Sequence, residues 1–172
     1  KANPTSTSNG FDSEKTSLAV TDGGTFAADT KFESGKLATP IKEGSIFDGW
    51  YKNEGCTGTA VTTSTAGGTY YAKWIELKSD AISMEYGSTQ TLPTIEGVTL
   101  SNWQSSDSTI VSIEDDQLKA NKVGKTTITA TARTEAGGTG TLTVNVEVTP
   151  MRIIYGKAAT TQNDDGIGRP YI

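Results

Sequence analysis

Chemistry in this chain has to come from carboxylates, one thiol and a cluster of aromatic rings, because its 172 residues include no histidine. That removes the Ser-His-Asp and Cys-His arrangements and the commonest transition-metal ligand together. Cys56 is the single cysteine. It excludes an internal disulfide and has no imidazole to act as its base. Glycoside hydrolysis uses two carboxyl groups about 5 to 9.5 Å apart, and the candidates are Glu114-Asp115-Asp116 and Asp164-Asp165. The first pattern falls in an expected loop and the second in a polar tail, where charges face water. Asn163-Asp164-Asp165-Gly166 has the oxygen-rich character of a calcium loop, but it lacks the alternate-residue spacing and the closing glutamate. No catalytic, cofactor-binding or metal-binding residue is assigned, and the chain is expected not to be an enzyme. The rings remain: Trp50, Tyr51, Tyr70 and Tyr71 are candidate ligand contacts. Exposed, they would form a platform on which sugars stack; buried, they would form a core.

These rings fall on two segments, Phe47-Asp48-Gly49-Trp50-Tyr51 and Tyr70-Tyr71-Ala72-Lys73-Trp74, in a chain with 19 glycines and recurrent Thr and Ser. That composition favours an all-β chain, and the length suits two domains of roughly 60 to 80 residues, near the lower limit for independent folding. Net charge is −5 with pI about 4.8, and the arginines are only Arg133, Arg152 and Arg169. With the lysines scattered, the electrostatic footprint for nucleic acid is missing, and so is a polybasic membrane patch. No apolar run approaches the ~20 residues of a spanning helix, and the N-terminus lacks the regions of a signal peptide. Residues 1–13 begin KANPTSTSNG and read as a polar, mobile linker, as though the chain were excised from a longer mature protein.

Along the chain, Leu18 and Val20 alternate with polar neighbours before the turn Asp22-Gly23-Gly24. A second segment over Thr30 to Leu37 precedes Pro40, which blocks regular pairing. Gly49 between Asp48 and Trp50 predicts a bulge or a close backbone approach. A long polar connection with a short element at Ala60-Val61 leads to a strand over Thr69 to Trp74. From Leu77 the period becomes two. Leu142, Val144, Val146 and Val148 share one face, as do Ile128, Ala130 and Ala132. A hairpin connection over 134–139 joins these strands. Ile82 to Tyr86, Thr89 to Leu92, Leu100 to Trp103, Ile110 to Ile113 and Leu118 to Ala120 supply further short strands, and about seven at this spacing predict a sandwich. Residues 150–172 hold one apolar run, Met151 to Tyr155, and read as a tail or the start of a further module.

Two family resemblances follow. Asp22-Gly23-Gly24, Gly35, Pro40, Phe47-x-Gly49-Trp50-Tyr51, Cys56 and Tyr71-Ala72-Lys73-Trp74 make residues 14–75 resemble the internalin-type B repeat, or Listeria-Bacteroides repeat. That implies a small β-grasp-like module, tandem on bacterial surface and secreted proteins, with a packing position for Cys56. Residues 76–149 resemble the bacterial immunoglobulin-like domain of group 2, through Tyr86-Gly87 with Leu92, Trp103-Gln104-Ser105-Ser106-Asp107, Ile110-Val111-Ser112-Ile113, Leu118-x-Ala120 and Gly124-x-x-x-Ile128-Thr129-Ala130. This implies an immunoglobulin-like β-sandwich with Trp103 as its buried core tryptophan.

The expectation is a mostly β, non-catalytic spacer and adhesion segment of a bacterial cell-surface or secreted protein, extracellular, with monomeric modules and no cofactor. Its partners would be a host or matrix protein or a glycan, with no nucleic acid and no membrane insertion. The alternative is a carbohydrate-binding accessory region of a secreted glycan-degrading enzyme. Burial of the four candidate rings would favour the first reading and coplanar exposure the second.

Overall fold

The computed structural model describes residues 5–8, 18–20, 24–31, 33, 35–64 and 68–152. The described chain is mostly β and holds no helix. Its strands are β1 (Thr5–Ser8), β2 (Leu18–Val20), β3 (Ser45–Tyr51), β4 (Thr69–Glu76), β5 (Ile82–Glu85), β6 (Thr89–Thr91), β7 (Thr99–Ser105), β8 (Val111–Glu114), β9 (Gln117–Ala120), β10 (Gly124–Arg133) and β11 (Thr139–Thr149).

The first four strands make an antiparallel sheet in the order β2-β1-β4-β3. Thr5–Ser8 lies in the stretch expected to be a linker, yet it pairs with β2 on one side and β4 on the other. Strand pairing uses backbone groups, which a Thr-Ser repeat supplies as well as an apolar one. The segment from Thr30 to Leu37 forms no strand among its described residues; Lys36 makes only an isolated bridge to Thr63, and Thr25 bridges Ile41 nearby. Phe32 and the calcium-like motif at 163–166 lie outside the described residues.

In β3 the ladder sets Phe47 opposite Trp74 and Trp50 opposite Ala72, so Asp48 and Gly49 together face Lys73. This is the bulge that Gly49 foreshadows, and its φ of +120° is open only to glycine. Strict alternation would send residues three apart to opposite faces. The extra residue instead returns Phe47 and Trp50 to one face, their ring centroids 5.4 Å apart, and with Tyr70 and Ala72 they form a buried core.

The remaining strands make a β-sandwich of two sheets, β5-β11-β10-β7 and β6-β9-β8. Lettered A to G in chain order, these are A-G-F-C and B-E-D, the immunoglobulin division with the first strand placed beside the last. β10 and β11 pair without a break from Gly124↔Val148 to Arg133↔Thr139. Their inward residues Ile128, Leu142, Val144, Val146 and Val148 meet Val111, Leu118 and Ala120 of the facing sheet in one core. Each large side chain fully buried there contributes roughly 1.5–3 kcal/mol. A second bulge sets Asn102 and Trp103 together against Ala130, and Asn102 takes a φ of +52°. Through it Leu100 and Trp103, again three apart, both pack against the core. Trp103 is only half-buried, which corrects its assignment as an enclosed core residue: the bulge brings it to the margin of the sandwich, beside Leu92, Pro93 and Val98.

Candidate functional site

Among the described residues, the first module and the sandwich meet at the β3 bulge. β3 is an edge strand, and an open edge presents unpaired backbone groups. Two other segments cover it. At one end Val61 pairs with Trp50, its N–H donating to the Trp50 carbonyl at 2.7 Å. At the other, the connection between β10 and β11 arrives from the sandwich. The Thr134 hydroxyl donates to the Phe47 carbonyl at 2.6 Å, a buried bond between residues 87 positions apart. The same oxygen accepts the Gly138 N–H at 3.0 Å, which closes the hairpin tip on itself. Ala136, at the apex, packs against the Phe47 and Trp50 ring cluster.

Further contacts fix the joint. The Leu77 N–H donates to the Gly44 carbonyl at 2.9 Å. A Cβ on Gly97 would come within 3.2 Å of Ile75 Cδ1, and one on Gly140 within 2.5 Å of Leu77 Cδ1, so backbone of the sandwich lies directly on first-module and linker side chains. Lys73, across from the bulge, pairs with Asp48 at 2.7 Å. That hydrogen bond raises the lysine's pKa above its usual 10.5, against the smaller opposing effect of desolvation. Between the bulge, the Val61 segment and the hairpin tip lies a groove of about 360 Å³, walled by Phe47, Trp50, Tyr51, Val61 and Ala136 with Glu135 at its mouth.

The candidate ring residues are placed as follows. Trp50 and Tyr70 are each 2% exposed and Tyr51 8%, while Tyr71 is half-buried. Trp50 Nε1 donates to the Ala38 carbonyl at 2.9 Å, which anchors the ring in the module. Trp74 packs edge-on against Phe47 and carries the Lys42 ammonium 5.8 Å from its ring centroid, at cation–π range. Trp50 and Tyr70 lie in one core with Phe47 and Ala72 rather than on an open platform. Cys56 is buried in a turn with a φ of +48°, its thiol 3.9 Å from the Tyr71 carbonyl. The preceding Asn53 clamps that turn, accepting the Thr57 N–H at 3.1 Å and donating to the Thr57 carbonyl at 2.8 Å.

The acidic run belongs to a turn. Glu114 pairs with Gln117 across a two-residue hairpin whose central residues, Asp115 and Asp116, have φ of +48° and +58°. Two positive φ values define the type I′ turn that suits the twist of paired strands, and Asp tolerates them. The Glu114 carboxylate is occupied by the Ser112 hydroxyl and, at 3.1 Å, the Lys119 ammonium, which hold its pKa below the usual range. Among the described residues no group of three or more Asp, Glu, Cys or His is arranged to hold a metal ion. Ser106 and Asp107, from the motif that carries the sandwich resemblance, are also structural. The Ser106 hydroxyl lies 2.9 Å from Thr126 Oγ1, which accepts the Asp107 N–H at 3.1 Å. Missing from the sequence reading were Thr134, Ala136 and Gly138, which look like ordinary hairpin residues until Phe47 is seen beside them.

An aromatic-cored, bulged β-module clasped by a sandwich hairpin is the build of a modular β-protein. Residues 9–77 match the model of the Listeria-Bacteroides repeat domain, a repeat found in bacterial surface proteins. The match takes in β2, β3 and β4, leaves out β1, and ends before β5, where the sandwich begins. No curated protein matches the chain.

Proposed function

We propose that this chain is a stiff, non-catalytic spacer and adhesion segment of a bacterial cell-surface or secreted protein, placed outside the cell. It sets a more distal functional part at a fixed distance and orientation, and its exposed loops touch a host or matrix partner. The observation that carries this reading is the clasp at the β3 bulge. A spacer has to resist bending, and Thr134, Ala136 and Gly138 lock the sandwich onto the first module through buried contacts with Phe47 and Trp50. The bacterial immunoglobulin-like group 2 assignment of residues 76–149, and the grasp-type fold implied for the first module, belong to the same reading. Residual dipolar couplings of the intact chain test it: one alignment tensor should fit both modules, and two independent tensors would overturn the stiff spacer.

The burial of Trp50, Tyr51 and Tyr70 supports the spacer, and the groove that Trp50 and Tyr51 help to wall is what a second reading, a carbohydrate-binding accessory region of a secreted glycan-degrading enzyme, would rest on. On a glycan array, binding that disappears in a Tyr51→Ala variant shown to be folded would select it. Absence of binding leaves the spacer reading in place.

A further inference from the structure

The core of the first module takes one of its covering side chains from the sandwich. Its buried cluster of Phe47, Trp50, Tyr70 and Ala72 is covered by Phe26, Leu37, Val61 and Trp74 from the module itself and by Ala136, which belongs to the sandwich. The Phe47 carbonyl faces away from the β3–β4 ladder and is satisfied by the Thr134 hydroxyl. Remove that hydroxyl and a carbonyl in a buried setting loses its partner.

The fit on both sides is tight. A Cβ on Gly138 would overlap the Phe47 carbonyl oxygen and approach Thr134 Oγ1 to 2.9 Å, so no larger residue fits between tip and strand. On the receiving side, a Cβ on Gly49 would lie 3.1 Å from Ala60 Cβ and 3.8 Å from Ala136 Cβ. The bulge thus offers a small notch with a carbonyl acceptor, an aromatic floor and a glycine, Gly49, where the tip approaches. The hairpin tip offers a hydroxyl donor, a methyl group and a glycine in matching order.

We propose that the bulged edge of β3 is a receptor surface for a β-hairpin tip of the form Thr-x-Ala-x-Gly. Its cognate occupant is the 134–138 tip of the sandwich that follows, and this docking completes the first module's core, so the module keeps its native packing only while the tip is seated. The relationship is one of folding dependence and goes beyond the spacer reading: it uses the same clasp, but a ligand-binding segment with no spacer role could have it equally.

The test uses the full chain and amide hydrogen exchange, with contacts between the Ala136 methyl and the Trp50 ring followed by NMR as the measure of docking. In Gly138→Val the contacts should vanish. Amides of Ile46, Phe47 and Ala72 should then exchange at least about tenfold faster, while those of Leu142 and Val144 keep their protection. Thr134→Val, which keeps the shape and removes the hydroxyl, should give a smaller acceleration of the same amides, roughly threefold, with the sandwich again unchanged. Glu135→Ala, at the exposed position between them, should change neither. Retained protection in β3 and β4 after the Ala136 contacts are lost would overturn the proposal, and so would a Gly138→Val variant that stays docked.

Discussion

Lys73 reaches across the sheet to the bulge that faces it, placing its ammonium nitrogen 2.7 Å from Asp48 Oδ2. Asp48 is one of the two residues the bulge sets opposite this single lysine, so the ion pair and the irregular backbone come from one local arrangement.

The pair makes the first module sensitive to alkali. Its hydrogen bond to Asp48 raises the Lys73 pKa above 10.5, the ordinary value that the unfolded chain should show. A folded pKa above the unfolded one gives stabilisation that is complete below pH 10.5 and lost as pH rises through the folded value. Asp48→Asn should return the Lys73 titration, followed through its side-chain resonances, toward the ordinary value. With Lys73 40% exposed, the loss of stability should be only about 0.2–1 kcal/mol and should shrink at high salt. An unchanged titration in Asp48→Asn would show that the pair does not persist in solution.

Gly49 and Gly35 separate steric crowding from backbone preference. Both have positive φ, +120° and +76°, but a Cβ at Gly35 would meet nothing within 4 Å, whereas at Gly49 it would press on Ala60. Gly35→Ala should cost about 1 kcal/mol. Gly49→Ala should cost more, about 2–3 kcal/mol, from a disfavoured conformation and a contact that forces a neighbour to move. Thermal unfolding followed by tryptophan fluorescence checks the order; equal losses would remove any special role for the bulge.

Asp107 gives the opposite pH sign in the sandwich. The Thr109 hydroxyl and then its N–H donate to Oδ1 at 2.6 and 2.9 Å, and these bonds hold the Asp107 pKa below its ordinary 3.8. A depressed folded pKa contributes stability above pH 3.8 that disappears as the pH falls through the folded value. Thr109→Val removes the larger of the two effects, so carboxyl carbon titration by NMR should show the Asp107 pKa moving up toward 3.8. A titration that stays put would mean that the backbone N–H alone sets it.

Regular alternation made β10 and β11 legible from sequence, because a strand with one dry face must repeat every second residue. Gly49 announced the first bulge for a similar reason, since glycine there relieves a conformation other residues resist. The second bulge carried no such sign: Asn102 tolerates positive φ, but asparagine is common outside it too. Its displacement of the chain is why Trp103 ended at the margin of the core. The clasp was illegible for a different reason. Thr134 and Gly138 satisfy the local chemistry of a solvent-facing turn, and what makes them specific is a carbonyl oxygen 87 residues earlier. β1 was hidden because a Thr-Ser repeat gives no apolar period to detect.

The parallel pairing of β5 with β11 decides how the sandwich carries tension. The chain enters β5 at Ile82, opposite Val146, and leaves β11 at Thr149, opposite Glu85. A pull on the two ends of the domain draws these neighbours in opposite directions along their common axis. Their cross-strand bonds are then loaded together in shear, whereas a hairpin pulled from its open end would surrender them one at a time. Survival under a sustained pull is governed by the unfolding rate rather than by equilibrium stability, and this short parallel pair is the gate through which that unfolding has to pass.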